Sequence, residues 1–133
     1  MTEEQLTSAE EGRAGILAQR AGEDACLLTT YDRDSGLVHE VPMRYAVQGG
    51  NVYMLSDAGG DAEWVKNLVI NPEVSIRIGS DTVAGMARVI VNNAAEERLA
   101  RHLLAAKYEG WREGEPLSPW ASDALPVVIE TKV

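Results

Sequence analysis

Apolar and polar residues alternate along the chain in stretches that predict strands. Between Leu37 and Val47 the odd positions are mostly apolar, whereas the even positions include Glu40 and Arg44. Successive side chains of a strand point to opposite faces, so we expect the odd positions to face the interior, with His39 near one end. Shorter apolar runs predict five more strands, at residues 25–31, 52–55, 74–78, 82–91 and 125–130.

Three helices are predicted from apolar residues at helical spacing and from their end signals. The first begins at the cap Ser8 and ends before Gly22, the second covers residues 61–69, and the third covers residues 94–108 with Asn93 as its cap. The second helix is expected to bury four residues: Trp64, Val65, Leu68 and Val69. The Asn71-Pro72 pair should stop it, because proline disfavours the helical conformation at the preceding residue. Residues 1–7 are expected to form a polar tail.

The order of these elements predicts a mainly β fold in one domain. Tight turns are expected at residues 32–36, 48–51 and 79–81, so most strand pairs should be antiparallel. Six strands with three inserted helices describe an antiparallel barrel whose openings the helices cover, since closure removes exposed strand edges. A doubly wound α/β fold is less favoured, because residues 25–56 supply three strands with no helix between them.

Length, charge and cysteine content narrow the classes of function. A chain of 133 residues with 45% apolar residues suits a single core, and its net charge of −9 disfavours binding to nucleic acid. The chain shows no secretory signal and no membrane span, so a cytoplasmic location is expected. The single Cys26 is expected to be a buried apolar side chain. His39 and His102 lie in no ligand-spaced cluster, so no metal site is predicted.

The stretch from Ser56 to Pro72 is the candidate site for an anionic ligand. Gly59 and Gly60 can adopt positive φ and leave backbone N–H groups free. The start of the following helix offers unpaired donors and a partial positive charge, and Ser56 adds a hydroxyl. Trp64 either covers a ring of the ligand or anchors the helix in the core.

The same residues carry a resemblance to a known family. The order TTYDRDSGLVHEVPMRY (29–45), a Gly-Gly hairpin, a strand ending in Ser56, paired glycines and Trp64-x-x-Asn67-Leu68-x-x-Asn71-Pro72 resembles the split-barrel flavin and deazaflavin reductases. These include the pyridoxamine-phosphate-oxidase-like flavoproteins and, more closely, the deazaflavin (F420)-dependent nitroreductases.

The resemblance implies a six-stranded antiparallel split β-barrel that places a deazaflavin cofactor of the F420 type, or FMN, along the barrel. It assigns seven residues to cofactor binding: Arg44, Ser56, Gly59, Gly60, Trp64, Lys66 and Asn67. Tyr108 is the implied catalytic residue on the substrate side, where its hydroxyl would donate to the substrate oxygen as hydride arrives.

Several cations of the relatives are missing from this chain. Asp57 stands where those reductases have a lysine, and the turn Asp32-Arg33-Asp34-Ser35-Gly36 replaces a more basic one. Three explanations remain open: Arg33, Arg44, Lys66 and backbone donors hold the cofactor instead, the cofactor is the less anionic FMN, or no redox cofactor binds.

The leading functional hypothesis is an oxidoreductase that passes hydride from the cofactor to a small electron-poor substrate such as a quinone, an enone or a nitro compound. The alternative is a protein that binds or sequesters a flavin-like planar ligand without turnover. A third hypothesis is a dimerisation module without cofactor. A homodimer is also compatible with the resemblance.

Overall fold

The computed structural model describes residues 15–131. The predicted cap Ser8, the start of the first helix and the predicted tail at residues 1–7 lie outside the described residues. Helix α1 is described at residues 15–20, and a 3-10 turn covers Gly59–Asp61. The other helices are α2 (Glu63–Ile70), α3 (Ala94–Glu109) and α4 (Pro119–Asp123). The strands are β1 (Cys26–Tyr31), β2 (Val38–Met43), β3 (Ala46–Gln48), β4 (Asn51–Ser56), β5 (Glu73–Ile78), β6 (Asp81–Val89) and β7 (Leu125–Thr131).

The strands form one antiparallel sheet in the order β2-β1-β5-β6-β7-β4-β3. Its two edge strands, β2 and β3, follow each other in the sequence and are separated only by Arg44 and Tyr45. A link of two residues holds the two edges close together, so the sheet must curl. The predicted antiparallel, barrel-like fold with helices is therefore confirmed in outline.

The prediction of six strands is wrong, because residues 15–131 form seven. The single strand expected from Leu37 to Val47 divides into β2, which pairs with β1, and β3, which pairs with β4. The break lies at Tyr45, whose backbone N–H donates to the Tyr108 hydroxyl at 3.0 Å and whose carbonyl accepts from Lys107 Nζ at 2.9 Å. Side chains of α3 thus satisfy backbone groups that a neighbouring strand would otherwise pair.

The sheet buries side chains on both of its faces. Val52 and Met54 of β4 pack with α2 and Leu17 inside the curl, whereas Tyr53 and Leu55 pack beneath α3 on the outer face. Consecutive residues of a strand alternate between faces, so this strand is apolar at nearly every position. β7 follows the same pattern, which fixes α2 and α3 on opposite faces of the sheet.

Local signals predicted the helix ends well. Asn93 Oδ1 accepts from the Glu96 backbone N–H at 3.0 Å, which confirms the cap of α3. Helix α2 ends at Asn71 as expected. The short helix α4, capped by Ser118, lies between the predicted third helix and the predicted last strand, where no helix or strand was predicted.

Two burial predictions are wrong, because Val69 and Leu37 are 62% and 70% exposed. Val69 lines an open cleft between α2 and the ends of β6 and β7, and Leu37 directly precedes the edge strand β2.

Candidate functional site

A cleft of about 400 Å³ lies beside α2, at the end of the sheet where β6 ends and β7 begins. We call it the α2 cleft and define it by its lining residues: Arg33, Gly60, Val65, Lys66, Val69, Ile70, Val89 and Leu125. Five of these are aliphatic, two are cationic and one is glycine. Cavities of 300–1,000 Å³ with mostly apolar walls and a few polar groups are typical of small-molecule sites.

The apolar wall of the cleft explains an otherwise unfavourable feature of α2. Val69 and Ile70 are 62% and 60% exposed although both are large aliphatic residues. Both line the cleft, so a planar apolar ligand placed there would remove this surface from water.

The two cations of the cleft are held by a small polar network. Arg33 Nη1 lies 3.0 Å from Asn67 Oδ1 and 3.1 Å from Glu63 Oε1, and Lys66 Nζ lies 3.8 Å from Glu63 Oε2. The Arg33 backbone N–H also donates to Asn67 Oδ1, at 3.2 Å. Asn67 is 1% exposed and donates to Thr30 Oγ1 at 3.4 Å. Asn67 therefore positions Arg33 rather than facing the cleft itself.

The turn that carries Arg33 is shaped by Asp32. Its carboxylate accepts from the backbone N–H groups of Asp34 and Ser35 and from the Ser35 hydroxyl, at 2.8–3.0 Å. These hydrogen bonds favour the ionised form and hold the pKa of Asp32 below its usual range. The Asp32 carboxylate thus serves the geometry of the turn, and Arg33 is the cation of the turn.

Ser56 and Gly59 stabilise the turn that precedes Gly60, which lines the cleft. The buried Ser56 hydroxyl donates to the Gly59 carbonyl at 2.8 Å, and Gly59 has φ of +62°. A side chain at Gly60 would meet no atom within 4 Å, because that position faces open space at the cleft. The Ser56 donor expected for an anion is thus engaged within the turn.

Part of the predicted backbone anion site is also satisfied internally. The N–H groups of Asp61, Ala62, Val65 and Lys66 all donate to carbonyls of residues 58–62. Asp61 and Glu63 add two carboxylates to these first turns. Side-chain cations, rather than main-chain donors alone, therefore make the cleft attractive to an anion.

The remaining predicted site residues lie away from the cleft lining. Trp64 is 7% exposed and belongs to the core, so the structure favours its anchoring role. The Arg44 guanidinium lies 5.2 Å and 5.1 Å from the ring centres of Tyr108 and Trp120, a cation–π arrangement.

The Tyr108 hydroxyl is engaged with backbone groups. It donates to the Asp24 carbonyl at 2.7 Å and accepts from the Tyr45 N–H. Its burial raises the pKa of this phenol. The catalytic assignment of Tyr108 stays a prediction.

The aliphatic wall was not predicted from the sequence. Val89 and Leu125 lie at strand ends that are far apart in the chain, so no local pattern joins them to α2. One signal was available in the sequence of α2. Its apolar residues include Val69 and Ile70, and together they are more than the single buried face of the helix needs.

Across residues 15–131, no helix has the length and apolar character needed to cross a bilayer. In the same range, no group of three or more His, Cys, Asp and Glu side chains is arranged to hold a metal ion.

Comparison with known proteins gives the family. The family model described as F420H(2)-dependent quinone reductase matches residues 2–132. Rv3178 of Mycobacterium tuberculosis, which is named for the same activity, is 31% identical over 106 residues, covering 77% of this chain and 85% of the relative.

Solved structures agree on the fold. An F420-H2 dependent reductase, FDR-A, matches with a TM-score of 0.64 and 24% identity over 81% of this chain and 95% of the other. A Listeria innocua protein whose name assigns it to the pyridoxamine 5'-phosphate oxidases matches with a TM-score of 0.65 and 21% identity over 94% of each chain. These identities support the fold alone. The family model and the relative Rv3178 confirm the predicted resemblance to split-barrel deazaflavin reductases. Because the family model spans nearly the whole sequence, the chain belongs to the F420H(2)-dependent quinone reductase family.

Proposed function

We propose that this protein is an oxidoreductase that binds the deazaflavin F420 in the α2 cleft and passes hydride from its reduced form to a quinone. The family match supports the cofactor and the reaction class. The observation that carries the location is the combination of one apolar wall with two cations, Arg33 and Lys66, in a single cleft.

The cleft lining fits the chemistry of such a cofactor. The aliphatic side chains of α2, Val89 and Leu125 suit a planar ring system, and Arg33 and Lys66 suit phosphodiester and carboxylate groups. Gly60 leaves open space beside the turn, so a ligand can approach the backbone closely. We assign Ser56, Gly59 and Asn67 to positioning, because their polar groups hold the turn and Arg33.

The reduced deazaflavin supplies the hydride when it is bound, and the chain supplies placement. Val65, Val69 and Ile70 exclude water from one side of the ring site. Arg33 and Lys66 fix the anionic end and lower the cost of negative charge nearby. Electron-poor substrates in general accept hydride, so we extend the proposed substrates from quinones to enones and nitro compounds.

Binding and turnover test the proposal separately. Purified protein is titrated with F420 and with FMN, and ligand fluorescence is followed. Saturable binding of F420, weakened about tenfold in Lys66→Met and in Arg33→Met, supports the site, since hydrogen bonds to charged groups contribute about 1.5–3 kcal/mol. Arg77→Met is the matched control, because Arg77 is exposed on β5 and does not line the cleft. Reduced F420 is then mixed with a soluble quinone, and the return of oxidised-cofactor absorbance is recorded.

Two results would reject parts of the proposal. The absence of saturable binding to F420 and FMN would reject the reductase function. Binding without oxidation of the reduced cofactor by quinones, enones or nitro compounds would favour the alternative of a ligand-binding protein. A homodimer stays a prediction, which light scattering of the purified protein tests.

Tyr108 and Arg44 contact each other at the end of α3, away from the lining of the α2 cleft, and enter the proposal as predicted residues. The Tyr108→Phe variant separates two roles of the hydroxyl. If the hydroxyl is catalytic, the variant has a lower kcat and unchanged stability. If the hydroxyl is structural, the variant has a lower free energy of unfolding, because Tyr45 and Asp24 lose a hydrogen-bond partner.

A further inference from the structure

The charges of the α2 cleft differ from those of other ion pairs in this acidic protein. At the other ion pairs of residues 15–131 one arginine faces at least one carboxylate of its own: Arg101 contacts Glu97, whereas Arg20 and Arg88 each contact two, Glu23 with Asp81 and Glu96 with Glu130. In the cleft the ratio is reversed, since Arg33 and Lys66 share the single carboxylate of Glu63. The three groups therefore leave one positive charge in excess.

Glu63 occupies the positions that an anionic ligand needs. Its two oxygens lie 3.1 Å from Arg33 Nη1 and 3.8 Å from Lys66 Nζ. A phosphate or carboxylate that binds the same two cations must displace this carboxylate or accept repulsion from it.

Displacement of Glu63 is structurally inexpensive. Its side chain is 59% exposed, and ion pairs at such surfaces contribute little to stability. Arg33 is 27% exposed and keeps a second partner, Asn67 Oδ1 at 3.0 Å, which holds the guanidinium when the carboxylate leaves. The cation site therefore persists without Glu63.

We propose that Glu63 is a specificity-determining residue that competes with the anionic group of the ligand for Arg33 and Lys66. The inference rests on the proposed function, and it deepens it. Glu63 lowers the affinity of the cleft for the anionic part of a ligand without affecting the ring, so it discriminates against anionic groups that do not displace its carboxylate.

The test uses one variant, one control and two ligands. Glu63→Gln keeps the size of the side chain and removes its charge. Glu113→Gln makes the same charge change at an exposed residue that is paired with neither Arg33 nor Lys66. The ligands are F420 and the corresponding ribityl-deazaflavin, which lacks the phosphodiester and the glutamate tail. Affinities are measured by fluorescence titration at low and high salt.

We expect Glu63→Gln to bind F420 about fivefold more tightly than wild type, in line with the loss of two competing surface ion pairs. The gain should shrink at high salt, because exposed charges are screened. The affinity for the ribityl-deazaflavin should not change, and Glu113→Gln should match wild type for both ligands.

Two outcomes would overturn the inference while the proposed function stands. Equal or weaker F420 binding by Glu63→Gln shows that the carboxylate does not compete, and an equal change for both ligands shows that it acts through the structure of α2. Failure of wild type to bind either ligand is a different result, which removes the proposed function and the inference together.

Discussion

Replacing Asn67 with leucine tests how the cleft is assembled. The amide is 1% exposed, and its oxygen accepts from the Arg33 backbone N–H at 3.2 Å and from Arg33 Nη1 at 3.0 Å. Leucine has a similar volume and makes neither contact. Each lost hydrogen bond costs about 0.5–1.5 kcal/mol, and a bond to a charged group costs more, so we expect the free energy of unfolding to fall by about 2–3 kcal/mol. The amide's contact with Thr30 Oγ1, at 3.4 Å, adds little.

Urea denaturation followed by far-ultraviolet circular dichroism measures this change. Asn51→Leu is the control, because Asn51 makes one long side-chain hydrogen bond, to the Tyr53 hydroxyl at 3.4 Å. The control should stay within about 0.5 kcal/mol of wild type. Asn67→Leu should also weaken F420 binding, since Arg33 loses the partner that fixes it. If Asn67→Leu unfolds at the same urea concentration as the control, Asn67 does not hold the β1–β2 turn to α2.

Three further predictions concern the turn, the sheet and the single cysteine. Gly59→Ala should lower the free energy of unfolding by about 1–2 kcal/mol, because φ of Gly59 is +62°. Gly60 has no positive φ, so Gly60→Ala should lower it by less than about 0.5 kcal/mol. Equal urea midpoints of the two variants would contradict this prediction. Gly85→Ala should cost about 2 kcal/mol, because the new Cβ would lie 2.7 Å from Ile129 Cγ2; an unchanged melting temperature would refute the clash. Burial raises the pKa of Cys26 from 9.0 to about 12, so the thiol protonates more readily in the folded state. The contribution of this thiol to the free energy of unfolding should therefore be lost as pH rises from about 9 to 12. Equal slopes of unfolding free energy against pH in wild type and in Cys26→Ala would reject this prediction.

The sequence predicted those parts of the fold that short-range patterns determine. The alternation Val74-Ser75-Ile76-Arg77-Ile78 appears in the structure as β5, with the valine and both isoleucines buried. The Gln48-Gly49-Gly50-Asn51 turn joins β3 and β4 as expected. In each case the residues that decide the structure are within a few positions of one another.

The parts that were missed depend on contacts between distant residues. The strand break at Tyr45 is stabilised by Lys107 and Tyr108, more than sixty positions later in the chain. The position of the Arg33 side chain is fixed by a hydrogen bond to Asn67, 34 positions away. Sequence patterns offered Arg33 and Lys66 as replacement cations, but they did not indicate that one carboxylate would join them.

The position of the cleft follows from the strand order. Neighbouring strands are antiparallel, so β1, β4 and β6 end where β5 and β7 begin, at one end of the sheet. β4 and β5 are not neighbours, because β6 and β7 lie between them. The connection from Ser56 to Glu73 must therefore pass across the ends of both intervening strands, and α2 forms this crossing. A helix in that place brings Lys66 and its apolar residues over Val89, Leu125 and the Arg33 turn. The curled sheet thus brings residues that are far apart in the sequence together as the lining of one cleft.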